Sequence, residues 1–201
     1  MTIHVPPTYK ATFEEFGDLV TSSTFTSDPL LADSLKAHLL KNDIGVVYDS
    51  DEHLEYSSSV PLVFFTKGHQ PKILVIHPNT SQDLKEYFRL GKIIQPVLQE
   101  SPKKIAVIAS ADLSHCLSEA APGGFRPEAL KCENDILRMI KSGRSNRLVK
   151  LDPDIIHNYE ICGLPSILVL LGILDVMHCT PNVLSHEAPF GVGHIVAEYT
   201  F

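Results

Sequence analysis

Asp112, Ser114 and His115 stand close together just after the apolar run Ile105–Ile108. An imidazole titrates near neutrality and can pass a proton in either direction, so proton transfer is the chemistry this cluster could do. The competing reading is an imidazole that only ties a loop to a carboxylate. Serine hydrolysis is disfavoured: the segment contains no G-x-S-x-G elbow, and adjacent Ser and His side chains cannot easily meet in a proton relay.

The elements around the cluster must display it. Ile105–Ile108 has the length and branched residues of a buried strand, and it breaks abruptly into Ala109, Ser110, Ala111 and Asp112. In open α/β sheets, ligands bind outside the carboxyl ends of the strands, where these polar residues would lie. Pro122, Gly123 and Gly124 then mark a loop, and Pro127 with Glu128 opens a helix.

With 201 residues, 44% hydrophobic and 20% charged, the chain is expected to fold as a single domain over residues 1–201 rather than remain disordered. A net charge of −7 and the lack of a basic stripe argue against a nucleic-acid partner and favour a small-molecule ligand. The start, MTIHVPPTYK, has no signal-like apolar core. The run Leu164–Met177 contains Pro165 and Asp175 and is too short for a bilayer, so a cytoplasmic, non-membrane protein is expected. Cys116, Cys132, Cys162 and Cys179 include no C-x-x-C pair and read as reduced, buried or half-buried thiols.

Along the chain, residues 1–26 read mostly as loop. Ser27-Asp28-Pro29 starts a helix with Leu31, Leu35 and Leu39 at helical spacing and Asn42 at its end. Short strands are predicted at Ile44–Tyr48 and Lys72–His77, and a helix from about Ser81 to Gln99 buries Leu84, Phe88, Ile94 and Leu98, with Pro96 as a kink. Pro127–Ser142 is amphipathic, with Leu130, Ile136, Leu137 and Ile140 inward and Gly143 closing it. Asp152-Pro153 begins a short helix, Gly163-Leu164-Pro165 an apolar one through Leu174, and Val183–Phe201 contains two strand-like runs around Ala188–Gly191. The expected class is α/β: three layers, with a central mostly parallel or mixed sheet flanked by helices.

Ser110-Ala111-Asp112-Leu113-Ser114-His115 and the trailing Pro122-Gly123-Gly124-Phe125-Arg126-Pro127 resemble the S-x-D-L-S-H and P-x-G-F/Y-x-P segments of the B-type family of class III extradiol ring-cleavage dioxygenases, in particular its stand-alone domains linked with the AmmeMemoRadiSam system. Cys162-Gly163-Leu164 and SHEAPFGVGHIVAEY extend the resemblance to nearly the whole chain, short of the family's N-terminal portion. The resemblance implies His115 as catalytic acid/base, with Asp112 in the same motif, and Glu187 of the S-x-E-x-P-F-G-x-G segment as an iron ligand. It implies Fe(2+) held by two histidines and one carboxylate, with open positions for a small aromatic diol and dioxygen.

Two departures matter. Tyr56 stands where the family's Asp-His-Gly-x-x-Val-Pro-Leu motif carries its His; a phenol can donate a hydrogen bond but moves protons less easily near neutrality. His53, three residues earlier, compensates if the segment forms a helical turn. His4 is the one histidine ahead of Phe16-Gly17, so one of the two family ligands has no counterpart. Three explanations stand: the chain lacks the family's first strand and helix and holds metal weakly, His53, His186 or His194 substitutes, or a partner subunit completes the pocket. The implied function is a non-haem Fe(II)-dependent extradiol dioxygenase; the alternative is a non-catalytic, dioxygenase-like scaffold or binding protein, with another divalent metal or none. A missing first strand leaves a sheet edge, which favours a homodimer.

Overall fold

The computed structural model describes residues 1–67, 69–78, 81, 83–143 and 145–201, the side chains of Ser145 and Asn146 excepted. In chain order the strands are β1 (Thr2–His4), β2 (Thr8–Phe13), β3 (Asp18–Thr26), β4 (Val47–Asp49), β5 (Val75–His77), β6 (Thr180–Glu187) and β7 (His194–Thr200). The helices are α1 (Pro29–Lys41), α2 (Tyr56–Phe65), α3 (Leu84–Glu100), α4 (Pro127–Lys141), α5 (Ser145–Leu148), α6 (Pro153–Asn158) and α7 (Leu164–Leu174). The fold is α/β. Its strands are divided among a mixed sheet of order β4-β1-β5, the β2-β3 hairpin and the β6-β7 ribbon. The chain separates into two compact units, Met1–Asn79 with Val97–Lys104, and Thr80–Pro96 with Ile105–Phe201.

In the first unit, β1 runs parallel to β4 and antiparallel to β5. The β2-β3 hairpin occupies a region that reads as loop, because its outer strand is mostly Ser, Thr and exposed residues with only Phe25 buried. The inner strand does alternate: Tyr9 and Ala11 point inward and pack with Phe25, Leu54 and Ile73, and Leu62, Val63 and Val75 close the cluster. Tyr9 donates its hydroxyl to the His4 carbonyl, and burial pushes the phenol up to about 12, so it stays a neutral donor. Helix α1 begins and ends where its residue types dictate. Asp28 accepts the Leu31 N–H at 3.2 Å, Pro29 occupies the first turn, and Asn42 caps the end.

In the second unit, α3 and α7 touch backbone to backbone at Gly91 and Gly172: a Cβ on Gly91 would strike the Val169 carbonyl, and one on Gly172 the Phe88 carbonyl. Helix α3 starts at Leu84 and buries Leu84, Tyr87, Leu90 and Ile94, while Phe88 and Leu98 are only half-buried; Gln82, inside the expected start, lies outside the described residues. Helix α4 turns Ala129, Glu133, Ile136, Leu137 and Ile140 inward, and Leu130 is exposed, because the buried stripe follows positions 129, 133, 136, 137 and 140. Gly143 follows α4 in the left-handed conformation, its φ being 63°.

The expected strand at Ile105–Ile108 does not form. The segment joins no ladder among the described residues, and Val107 and Ile108 are exposed. An apolar branched run has the composition of a strand, but only partners make it one, and none is supplied here. All four cysteines are free thiols; Cys162 is exposed rather than buried, because it sits at the rim of a cleft. Among the described residues no helix is long and apolar enough to cross a membrane.

Candidate functional site

The segment that carries His115 is fixed by two neighbours within the second unit. On one side it runs antiparallel to the turn between β6 and β7: Leu113 N–H donates to Gly193 O at 2.8 Å, Gly193 N–H to Ser114 O at 2.8 Å, and Leu117 N–H to Gly191 O at 3.0 Å. On the other side the carbonyls at the end of α6 hold it. Ser114 Oγ donates to Tyr159 O at 2.9 Å, the Arg126 guanidinium reaches Asn158 O, and His115 Nδ1 lies 2.7 Å from Glu160 O. Glu160 presents that carbonyl from a left-handed backbone, with φ 49°. Gly163 packs so closely beneath Asp112 that a Cβ would strike the Asp112 carbonyl and Ala111.

A carbonyl oxygen can only accept, so Nδ1 of His115 carries the hydrogen and, in the neutral ring, Nε2 keeps the lone pair. That nitrogen points toward Asp112 Oδ2, 3.9 Å away, too far for a hydrogen bond. The other Asp112 oxygen accepts from His194 Nδ1 at 3.0 Å. Asp112 therefore lies between two imidazoles. In the β6-β7 ladder His194 is directly opposite Glu187, which puts those two side chains on one face of the ribbon. His186, its neighbour, faces the other way, as strand alternation requires, and meets Glu133.

His115 also lines an open cleft of about 1000 Å³, shared with Ser81, Asp154, His157, Glu160 and Cys162. Although Cys162 is exposed at the cleft rim, the partial desolvation of its thiol first, and the Asp112 carboxylate second, push that thiol up, which keeps it protonated and disfavours a cysteine nucleophile. Ser114 is fully buried with its hydroxyl engaged, so it is structural.

The remaining residues singled out in the sequence lie in the first unit. His4 has both ring nitrogens engaged, Nδ1 3.2 Å from Asp49 and Nε2 3.3 Å from His77 Nδ1. Burial, followed by the charge of His4, pulls the His77 imidazole below its ordinary range. His53 sits in an extended stretch bridged to Lys10, and α2 begins only at Tyr56, so no helical turn aligns His53 with Tyr56. Tyr56 stacks edge-on against Phe16, with ring centroids 5.8 Å apart. The structure thus brings Asp112, His115 and Glu187 into one unit with His194, and groups His4 with Asp49 and His77.

Sequence reasoning missed Tyr159 and Glu160, which act through backbone carbonyls that no side-chain pattern records. It also missed Glu133. A signal was present there: Glu133 is the one charged residue on the otherwise apolar inward stripe of α4.

A two-histidine, one-carboxylate iron centre can be tested against these donors. Among the described residues no three His, Cys, Asp or Glu side chains are grouped to share a metal ion, and His4 is occupied by Asp49 and His77. The donor types are right in kind, but they do not fit a complete facial set.

The second unit thus presents an imidazole on a loop, with a carboxylate beside it and a cleft in front. Over residues 3–197 the chain matches the family described as the catalytic LigB subunit of aromatic ring-opening dioxygenase, and it belongs to that family. It is also 34% identical over 154 residues to Protein CA_C1420 of Clostridium acetobutylicum, an alignment that covers 76% of this chain and 33% of that protein. The chain thus spans about a third of the length of this curated relative.

Proposed function

We propose that the chain serves aromatic ring opening of the extradiol, non-haem Fe(II)-dependent type, acting on a small aromatic diol, with His115 as its acid/base group. The observation that carries this reading is the state of His115. Its Nδ1 is fixed on the Glu160 carbonyl, its Nε2 faces Asp112, and its ring lines the cleft. A ring held this way can take a proton at Nε2, with the Asp112 carboxylate stabilising the imidazolium, and return it to a developing anion in the cleft. The Asp112–His194 bond holds that carboxylate in place. Membership of the LigB family supports the ring-opening class. Dependence on iron rests on the family alone, since the described donors do not complete a centre.

The test is turnover of a simple catechol by anaerobically Fe(II)-loaded protein, in wild type and His115→Ala. The reading expects diol-dependent oxygen uptake that the substitution abolishes; wild-type protein that binds no Fe(II) and consumes no oxygen with diol overturns it.

A second reading, a binding protein that kept the fold without the chemistry, is favoured by Tyr56 at the family's His position and by the engagement of both His4 nitrogens. It expects catechol or a related ring compound to bind with the same affinity with and without a chelator. A large loss of binding on chelation contradicts it.

A further inference from the structure

We infer that Glu133 is the positioning residue that sets the mutual placement of His115, Glu187 and His194, an inference that rests on reading the second unit as the acid/base site. Glu133 is fully buried, where an unpartnered carboxylate is strongly disfavoured, so its partners explain why it is there. Its Oε2 accepts the Ser114 N–H at 2.9 Å, and its Oε1 lies 2.6 Å from His186 Nε2. A Cβ on Gly193 would land on both carboxylate oxygens. Each of these three partners is the residue immediately before one that could do chemistry: Ser114 before His115, His186 before Glu187, and Gly193 before His194.

One carboxylate on α4 therefore braces all three segments, one through the Ser114 backbone N–H, one through the His186 side chain and one against the bare Cα of Gly193. Helix α4 gives it a firm base, since Ala129, Ile136, Leu137 and Ile140 anchor the same face in apolar surroundings. The carboxylate oxygens of Glu133 meet Ser114 and His186, neither of which lines the cleft, so it acts through placement rather than by contact with substrate. The bare Cα of Gly193 is part of the device, because any side chain there would displace the carboxylate.

The test labels the full chain with ¹⁵N-histidine and records the assigned His115 ring nitrogens, together with kcat and KM for a catechol, in wild type, Glu133→Ala, Glu133→Gln, Gly193→Ala and Ile136→Val. In wild type the ring is expected in the Nδ1–H form. Glu133→Ala is expected to mix the two tautomers and to lower kcat by about tenfold or more with KM within about threefold, the pattern of misplaced rather than missing groups. Glu133→Gln, which can still accept from Ser114, is expected to recover part of the loss. Gly193→Ala should reproduce the ring shift with Glu133 present and serves if the alanine variant does not fold; Ile136→Val, at equal depth on the same helix, should leave the ring unchanged. The inference is overturned if Glu133→Ala and Gly193→Ala both leave the His115 nitrogens as in wild type, or if Ile136→Val shifts them equally. The ring spectrum is read without turnover, so a chain that opens no diol refutes the ring-opening reading and leaves this result standing on its own.

Discussion

Each unit holds a histidine beside a carboxylate, His4 with Asp49 and His115 with Asp112, and treats the pair in opposite ways. In the first unit His4 is closed off, one nitrogen on Asp49 and the other on His77, and the His77 ring is held below its ordinary range. In the second unit His115 spends one nitrogen on a backbone carbonyl and leaves the other toward Asp112 at the wall of a cleft. The same residue types give a pair with both ring nitrogens of His4 engaged in one case and, in the other, an imidazole whose Nε2 lies 3.9 Å from its carboxylate. What separates them is whether a ring nitrogen remains available, not which residues are nearby.

The largest expected effect breaks the comparison directly. His115→Ala should lower ring opening by on the order of 10²–10⁴-fold, the usual contribution of a general acid/base, while His77→Ala should change it no more than about threefold; steady-state oxygen uptake with catechol reads both. Next comes Gly163→Ala, which removes no functional group. Its Cβ would press on the Asp112 carbonyl and Ala111, so turnover should fall by about tenfold or more while the far-ultraviolet dichroism is retained.

Smaller effects sharpen the contrast from the side of stability. Asp28 caps α1 and pairs with Lys103; burial alone would raise its carboxyl, but the Lys103 ammonium and the Leu31 N–H outweigh it and hold the carboxyl below the ordinary range. A depressed carboxylate stabilises the fold above its unfolded value near 4, and that contribution is lost as the pH falls through its folded value. Asp28→Ala should therefore cost about 1 kcal/mol in urea unfolding at pH 7, and less at acid pH where the wild-type carboxyl is protonated. The smallest effect belongs to His77. Its lowered imidazole contributes stability that is complete above about pH 6.5 and declines as the pH falls below it. His77→Gln should flatten that slope between pH 7.5 and pH 5, by a modest amount because the residue is only partly withdrawn from solvent.

Much of the helical framework was legible in the residues. Asp28-Pro29 and Asn42 bracket α1, Asp152-Pro153 opens α6, and the Gly143 stop follows α4, because capping chemistry is local and acts through a few adjacent side chains. Strands were less legible because pairing is non-local. Among the described residues Ile105–Ile108 has a strand's composition without its partners, whereas β3 has partners without an apolar alternation, Phe25 being its one buried residue. At the site, the motif around His115 was visible, but its supports were not: two backbone carbonyls after α6 and a buried carboxylate on α4 leave almost no trace in a linear reading.

The most direct test of the account is dioxygen uptake by anaerobically Fe(II)-loaded protein on addition of catechol, compared between wild type and His115→Gln, which keeps the size of the side chain but cannot carry a proton. Uptake coupled to ring opening in the wild type, and reduced on the order of 10²-fold or more in the variant, is the expected result. Equal uptake by the two proteins would contradict the assignment of His115 as the proton carrier.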